Sequence, residues 1–94
     1  KIASKLDRIQ ILSCDRPSLI TGIKKMAIAI YKNGKYEYIM QVKEAGEQTI
    51  IYQKPHGGGK NEFVLLSDEK DELNIINVFG TITLNEIKDI AGGN

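Results

Sequence analysis

Ninety-four residues, 41% hydrophobic and 27% charged, describe one folded domain over 1–94, long enough to bury a modest core without metal or disulfide. A net charge of +1 gives no ground for expecting nucleic-acid binding, and no stretch approaches the roughly 20 apolar residues of a membrane helix. Cys14 is the single cysteine, so no internal disulfide forms and cysteine use does not indicate a redox compartment. The charge is uneven: residues 1–60 hold 11 Lys/Arg against 5 Asp/Glu, and residues 61–94 hold 2 Lys against 7 Asp/Glu, which predicts a basic and an acidic side. The chain opens at Lys1 with no apolar signal segment, as a trimmed or mature piece of a longer protein would.

In chain order, Leu6–Ser13 reads as a strand with Ile9 and Ile11 on one side and Arg8, Gln10 and Leu12 on the other. Asp15 is the expected N-cap of a first helix, with Pro17 in its first turn. Leu19, Ile20, Ile23, Met26, Ala27, Ile30 and Tyr31 form its apolar stripe, and Asn33-Gly34 ends it in a left-handed conformation. Two alternating runs around Tyr38–Lys43 and Thr49–Lys54, joined at Ala45-Gly46, predict an antiparallel hairpin. Glu62–Ser67 and Leu73–Gly80 are two more strands, joined by a charged turn. Thr83 and Glu86 have capping-box spacing before a short helix carrying Leu84, Ile87 and Ile90, stopped by Gly92-Gly93. The order β-α-β-β-β-β-α predicts an α+β fold, a mainly antiparallel sheet of about five strands with one long and one short helix.

No catalytic, cofactor or metal site is expected. Gly57-Gly58-Gly59-Lys60 lacks the spacing of a phosphate loop, and a strand follows it where a helix should, so Lys54–Asn61 reads as a slack, mobile hairpin connection. His56 and Cys14 share no metal spacing, and His56 is expected in solvent. Cys14 precedes a helix N-terminus, where a thiolate would be favoured, but a small buried side chain is the simpler reading. Asp68, Glu69, Asp71 and Glu72 lack calcium-loop spacing, and Lys24, Lys25, Lys32 and Lys35 read as a solvated face.

The segments KLDRIQILSCD, KNGKYEYIMQVKEAGEQTIIYQK and GGGKNEFVLLSDEKDELNIINVFGTITLNEI together resemble a bacterial family of unknown function, number 4252 among such domains, over Leu6 to Ile90. The resemblance implies exported envelope proteins of Gram-negative gut anaerobes, often with a lipoprotein-type signal and an N-terminal segment preceding this chain. It supplies no site residue.

Later strands carry aliphatics on both faces, while one long helix covers only one. If the short helix packs beside the first, Ile51, Val64, Leu66, Ile76 and Val78 are expected to lie bare as an interaction face for a second copy, the preceding segment or an envelope protein; the alternative is that the two helices sit on opposite faces and leave no patch. The leading expectation is a non-enzymatic binding or protein-interaction domain of the cell envelope, without cofactor, nucleic acid or membrane span. The alternatives are a small-ligand carrier with a pocket lined by Met26, Tyr38, Met40 and Tyr52, and a hydrolase using Cys14.

Overall fold

A computed structural model describes residues 2–91. A 3-10 turn, Ile2–Lys5, leads into β1 (Leu6–Cys14) and α1 (Pro17–Asn33). Then follow β2 (Glu37–Glu44), β3 (Glu47–Gly57), β4 (Lys60–Asp68), β5 (Leu73–Gly80) and α2 (Leu84–Ala91). The α+β order read from the sequence is the observed one. The five strands form one sheet, β1-β5-β4-β3-β2, in which all neighbours are antiparallel. The expected Gly92-Gly93 stop lies outside the described residues.

Local chemistry explains most boundaries. The N-cap of α1 is Arg16, without a side-chain hydrogen bond, and not the expected Asp15. Pro17 at the first helical position loses nothing by lacking an N–H. At the other end the left-handed residue is Lys35 (φ 66°), not Gly34 (φ −80°). The Tyr36 N–H reaches the Tyr31 carbonyl at 3.0 Å and the Lys35 N–H that of Lys32 at 3.3 Å, the bonds of a Schellman motif. Gly34 is needed for closeness instead: a Cβ there would meet the Ile30 carbonyl at 3.0 Å.

The glycine stretch is not slack. β3 runs through His56 to Gly57, β4 resumes at Lys60, and Gly57 pairs with Lys60. Gly58 and Gly59 are the two central residues of a tight turn, both at positive φ (62° and 77°), as a primed hairpin turn requires. The capping box holds as spaced. The Thr83 N–H donates to Glu86 Oε1 at 2.9 Å and the Glu86 N–H to Thr83 Oγ1 at 3.3 Å.

The two helices take opposite faces of the sheet. Under α1, Ile20 and Ala27 pack with Tyr52, Val64, Leu66, Leu73 and Ile75. On the reverse face Ile82 and Ile87 pack with Ile51, Phe63, Leu65 and Val78. The face expected to be bare is therefore not one surface. Val64 and Leu66 lie under α1, while Ile51, Ile76 and Val78 lie on the α2 side. Ile76 is half-buried and the other four are buried. The physical reason is the placement of α2, which crosses to the second face and does not lie beside α1.

Candidate functional site

The apolar surface left open is at the β1 edge. Among the described residues β1 pairs with β5 on one side and with no strand on the other, so alternate backbone N–H and C=O groups point away from the sheet. All residues from Asp7 to Ser13 are exposed. Register assigns their faces: Ile9 and Ile11 stand opposite Val78 and Ile76 on the α2 face, and Leu12 stands opposite Ile75 on the α1 face. On the α1 side Met26 and Ile30, members of the predicted stripe, point past the sheet and are not buried in it. Ile9, Ile11, Leu12, Met26 and Ile30 keep between 50% and 66% of their surface open. A groove of about 370 Å³ runs between α1 and β1, walled by Leu12, Ile23, Met26, Ile30 and Ile75. Asn77 and Gln10, directly paired across the strands, form its polar end. The buried Asn77 Oδ1 has no hydrogen-bond partner among the described residues.

The opposite edge of the sheet is built differently. β2 carries Glu37, Lys43 and Glu44 and is bent by a bulge between Tyr38 and Met40. Charges and bulges are the devices by which sheet edges repel a further strand. In β1 the bulge and the charges Asp7 and Arg8 sit at the start. From Ile9 to Cys14 the strand has no charge, no proline and no irregularity of register.

A second cluster lies near the far end of the α1 face. Glu62 falls on the inward parity of β4, in line with Val64 and Leu66, and is buried. Its carboxylate accepts from Asn77 Nδ2 at 2.6 Å, from the Tyr36 hydroxyl, and pairs with His56 Nε2 at 2.8 Å. Burial alone would raise its pKa, but donation from Asn77, Tyr36 and His56 outweighs it and the net shift is downward. Burial, and after it the same carboxylate, raises the Tyr36 and Tyr31 phenols. Lys54 lies over the Tyr36 ring and Arg8 over Phe79, while His56 meets Phe79 edge-on. Sequence reasoning missed this group; the available signal was a lone acid at an inward position of an otherwise apolar strand.

The remaining candidates separate. His56 is exposed, as expected, and its ring is held by Glu62. Cys14 pairs with Leu73 at one end of the sheet, whereas His56 lies against Phe79, the partner of Arg8. Six residues of strand, about 20 Å, separate those positions, so no Cys–His pair forms. Cys14 is half-buried, with Sγ 3.8 Å from the Arg16 carbonyl oxygen. Lys24 pairs with Asp68 at 2.7 Å, and the Glu69 N–H donates to the Glu72 carbonyl, which closes the acidic turn on itself. No group of three or more metal-ligating side chains occurs among the described residues. Of the expected pocket residues only Met26 lines the groove; Tyr38 and Tyr52 line a separate cleft with Tyr36 and Ile28, and Met40 packs on the α2 face. No helix of the described residues is long and apolar enough to cross a membrane.

A family profile described as "Domain of unknown function (DUF4252)" matches residues 1–90. The chain belongs to the DUF4252 family. No curated protein matches it significantly. The DUF4252 match spans every described strand and α1, and it reaches to the last turn of α2.

Proposed function

We propose that the domain is a non-enzymatic protein-interaction module that accepts a partner strand along the open β1 edge. The observation that carries this reading is the contrast between the guarded β2 edge and the unguarded run from Ile9 to Cys14. An added strand gains main-chain hydrogen bonds, and its alternating side chains meet Ile9 and Ile11 on one face and Leu12 and the groove beside α1 on the other. The test is selection of random peptides against the pure domain, followed by NMR shift mapping. Selected peptides are expected to be β-branched and alternating, to shift the amides of β1, and to lose binding in Ile11→Lys. Binders that map elsewhere, or that ignore Ile11→Lys, defeat the reading. Placement in the bacterial envelope is part of the proposal and is supported by family resemblance alone; fractionation of the full-length product checks it.

A second reading, a carrier of small amphiphiles, is favoured by the groove and by the unpartnered Asn77 Oδ1 at its polar end. It calls for a ligand with an apolar body and a hydroxyl or amide donor. A thermal-shift screen of envelope lipids should then find a stabiliser whose effect disappears in Met26→Glu.

A further inference from the structure

Because β1 carries the least protected backbone in the sheet, its most available complement is another β1. We infer that the strand accepted at this edge is a second copy of this chain, paired antiparallel through β1 about a two-fold axis at Gln10, so that two sheets become one of ten strands. This rests on the reading of β1 as an accepting edge and adds the identity of the occupant.

Symmetry limits the possible registers. A two-fold axis normal to the sheet keeps each face on its own side, and directly opposed residues in an antiparallel pair share a face. Only registers centred on a residue satisfy both conditions. Centred on Gln10, the residues from Arg8 to Leu12 pair on regular backbone, and the pairs of Leu6 with Cys14 and Asp7 with Ser13 fall at the bulge. Ile9 then opposes Ile11 of the second copy and the reverse, which places four isoleucines together on the α2 face. Asp7 and Ser13 add nothing to the seam, since Lys60 holds the Asp7 carboxylate and the Ser13 hydroxyl donates to Asn74 Oδ1 at 2.6 Å. On the α1 face the stem of Arg8 opposes Leu12, and the two Gln10 amides meet on the axis. Moving the centre to Ile9 sets Asp7 against Ile11 and leaves Ser13 and Cys14 unpaired. Moving it to Ile11 sets Ile9 against Ser13 and leaves Leu6 and Asp7 unpaired. The Gln10 register is therefore the one that sets isoleucine against isoleucine at the centre of the strand, as cross-strand pairing favours. The α1 helices flank the new seam, with Met26 and Ile30 facing it from each side. An interface of one strand pair with flanking side chains is small, at the low end of about 1,200 Å², so a reversible, concentration-dependent dimer is expected.

Three measurements on the full chain test the inference. Light scattering from low micromolar to millimolar concentration should show the mass rising toward twice the 10.5 kDa of one chain. Ile11→Lys should keep the circular dichroism and melting temperature of the parent and weaken the dimer by more than about tenfold, since a charge on an open edge opposes pairing. In a Cys14→Ser background, Gln10→Cys should be joined to itself by a short bis-maleimide, whereas Asp7→Cys should not, because its own counterpart lies far along the partner strand. A chain that stays at single mass throughout overturns the second copy; the strand-accepting reading then stands or falls with the peptide mapping alone. A dimer that ignores Ile11→Lys and leaves Gln10→Cys uncoupled overturns the inference and the reading of β1 together.

Discussion

Lys35 and Glu62 show how single residues are held against their own preferences. Lys35 occupies the left-handed position after α1, where a Cβ costs roughly 1 kcal/mol that glycine avoids. Its replacement by glycine should stabilise the domain by about 0.5–1 kcal/mol in urea titration with an unchanged slope. A loss of stability would mean that the Lys35 side chain makes a contact outweighing the strain. Glu62 is a buried carboxylate that is retained because three donors surround it. Glu62→Ala would strand Tyr36, Asn77 and His56 around a cavity and should cost about 3 kcal/mol. Glu62→Gln, which keeps the shape but adds a donor facing donors, should also destabilise. If either variant melts like the parent, the network is decoration.

At the scale of elements, the order and nature of the strands and helices were legible because alternation and capping are local. Ile9 and Ile11 alternate with Arg8, Gln10 and Leu12 as their register requires, and Thr83 and Glu86 form the box their spacing implied. The allotment of helices to faces was not legible. Each of β3, β4 and β5 is apolar on both faces, a pattern equally consistent with a second covering helix and with a bare surface. What decides is the crossing at Gly80, where a Cβ would lie 2.0 Å from the Lys5 carbonyl oxygen. That close approach, with the Thr81 N–H donating to the same oxygen at 2.9 Å, ties the end of β5 to the residue before β1 at the point where the chain leaves for α2. Gly80→Ala should therefore loosen both ends of the chain together. We expect a loss of about 3 kcal/mol or more, with faster amide exchange in α2 and around Leu6. Exchange confined to β5 would argue against this coupling. Ile87, buried where α2 meets the sheet, supplies the complementary test. Ile87→Ala should cost about 2–4 kcal/mol and expose the apolar α2 face to dye. The bare surface at β1 escaped the sequence for a related reason: Met26 and Ile30 lie on the predicted stripe, but of that stripe only Ile20 and Ala27 are buried.

Over the whole molecule, the uneven charge of the two halves is spent in contacts between them. Lys5 pairs with Glu86, Lys24 with Asp68 and His56 with Glu62, each joining the basic first part of the chain to the acidic last part. Stability should accordingly be limited on both sides of neutrality. Lys5 Nζ and the Thr83 backbone hold the Glu86 carboxyl down to about 2, and the Glu62 carboxyl is also lowered. A carboxyl depressed in the folded state contributes above its ordinary value of 4.5 and loses that contribution as pH falls below it. The phenols of Tyr31, Tyr36 and Tyr52 are raised, so they contribute below their ordinary value of 10.0 and lose that contribution as pH rises past it. Melting temperature against pH should form a plateau that falls at both limits. Tyr36→Phe should flatten the alkaline limb, and a limb left unchanged in that variant would show that Tyr36 does not govern it.

The pairing of the first strand with the last also bears on synthesis. β1 ends at Cys14 and β5 begins only at Leu73, so almost 60 residues must follow before β1 has a neighbour. At about 5–20 residues per second, the nascent Ile9–Leu12 segment waits several seconds on the ribosome without one. During that interval β2, β3 and β4 can close their hairpins in order of appearance, and the first segment made is the last to find its place in the sheet.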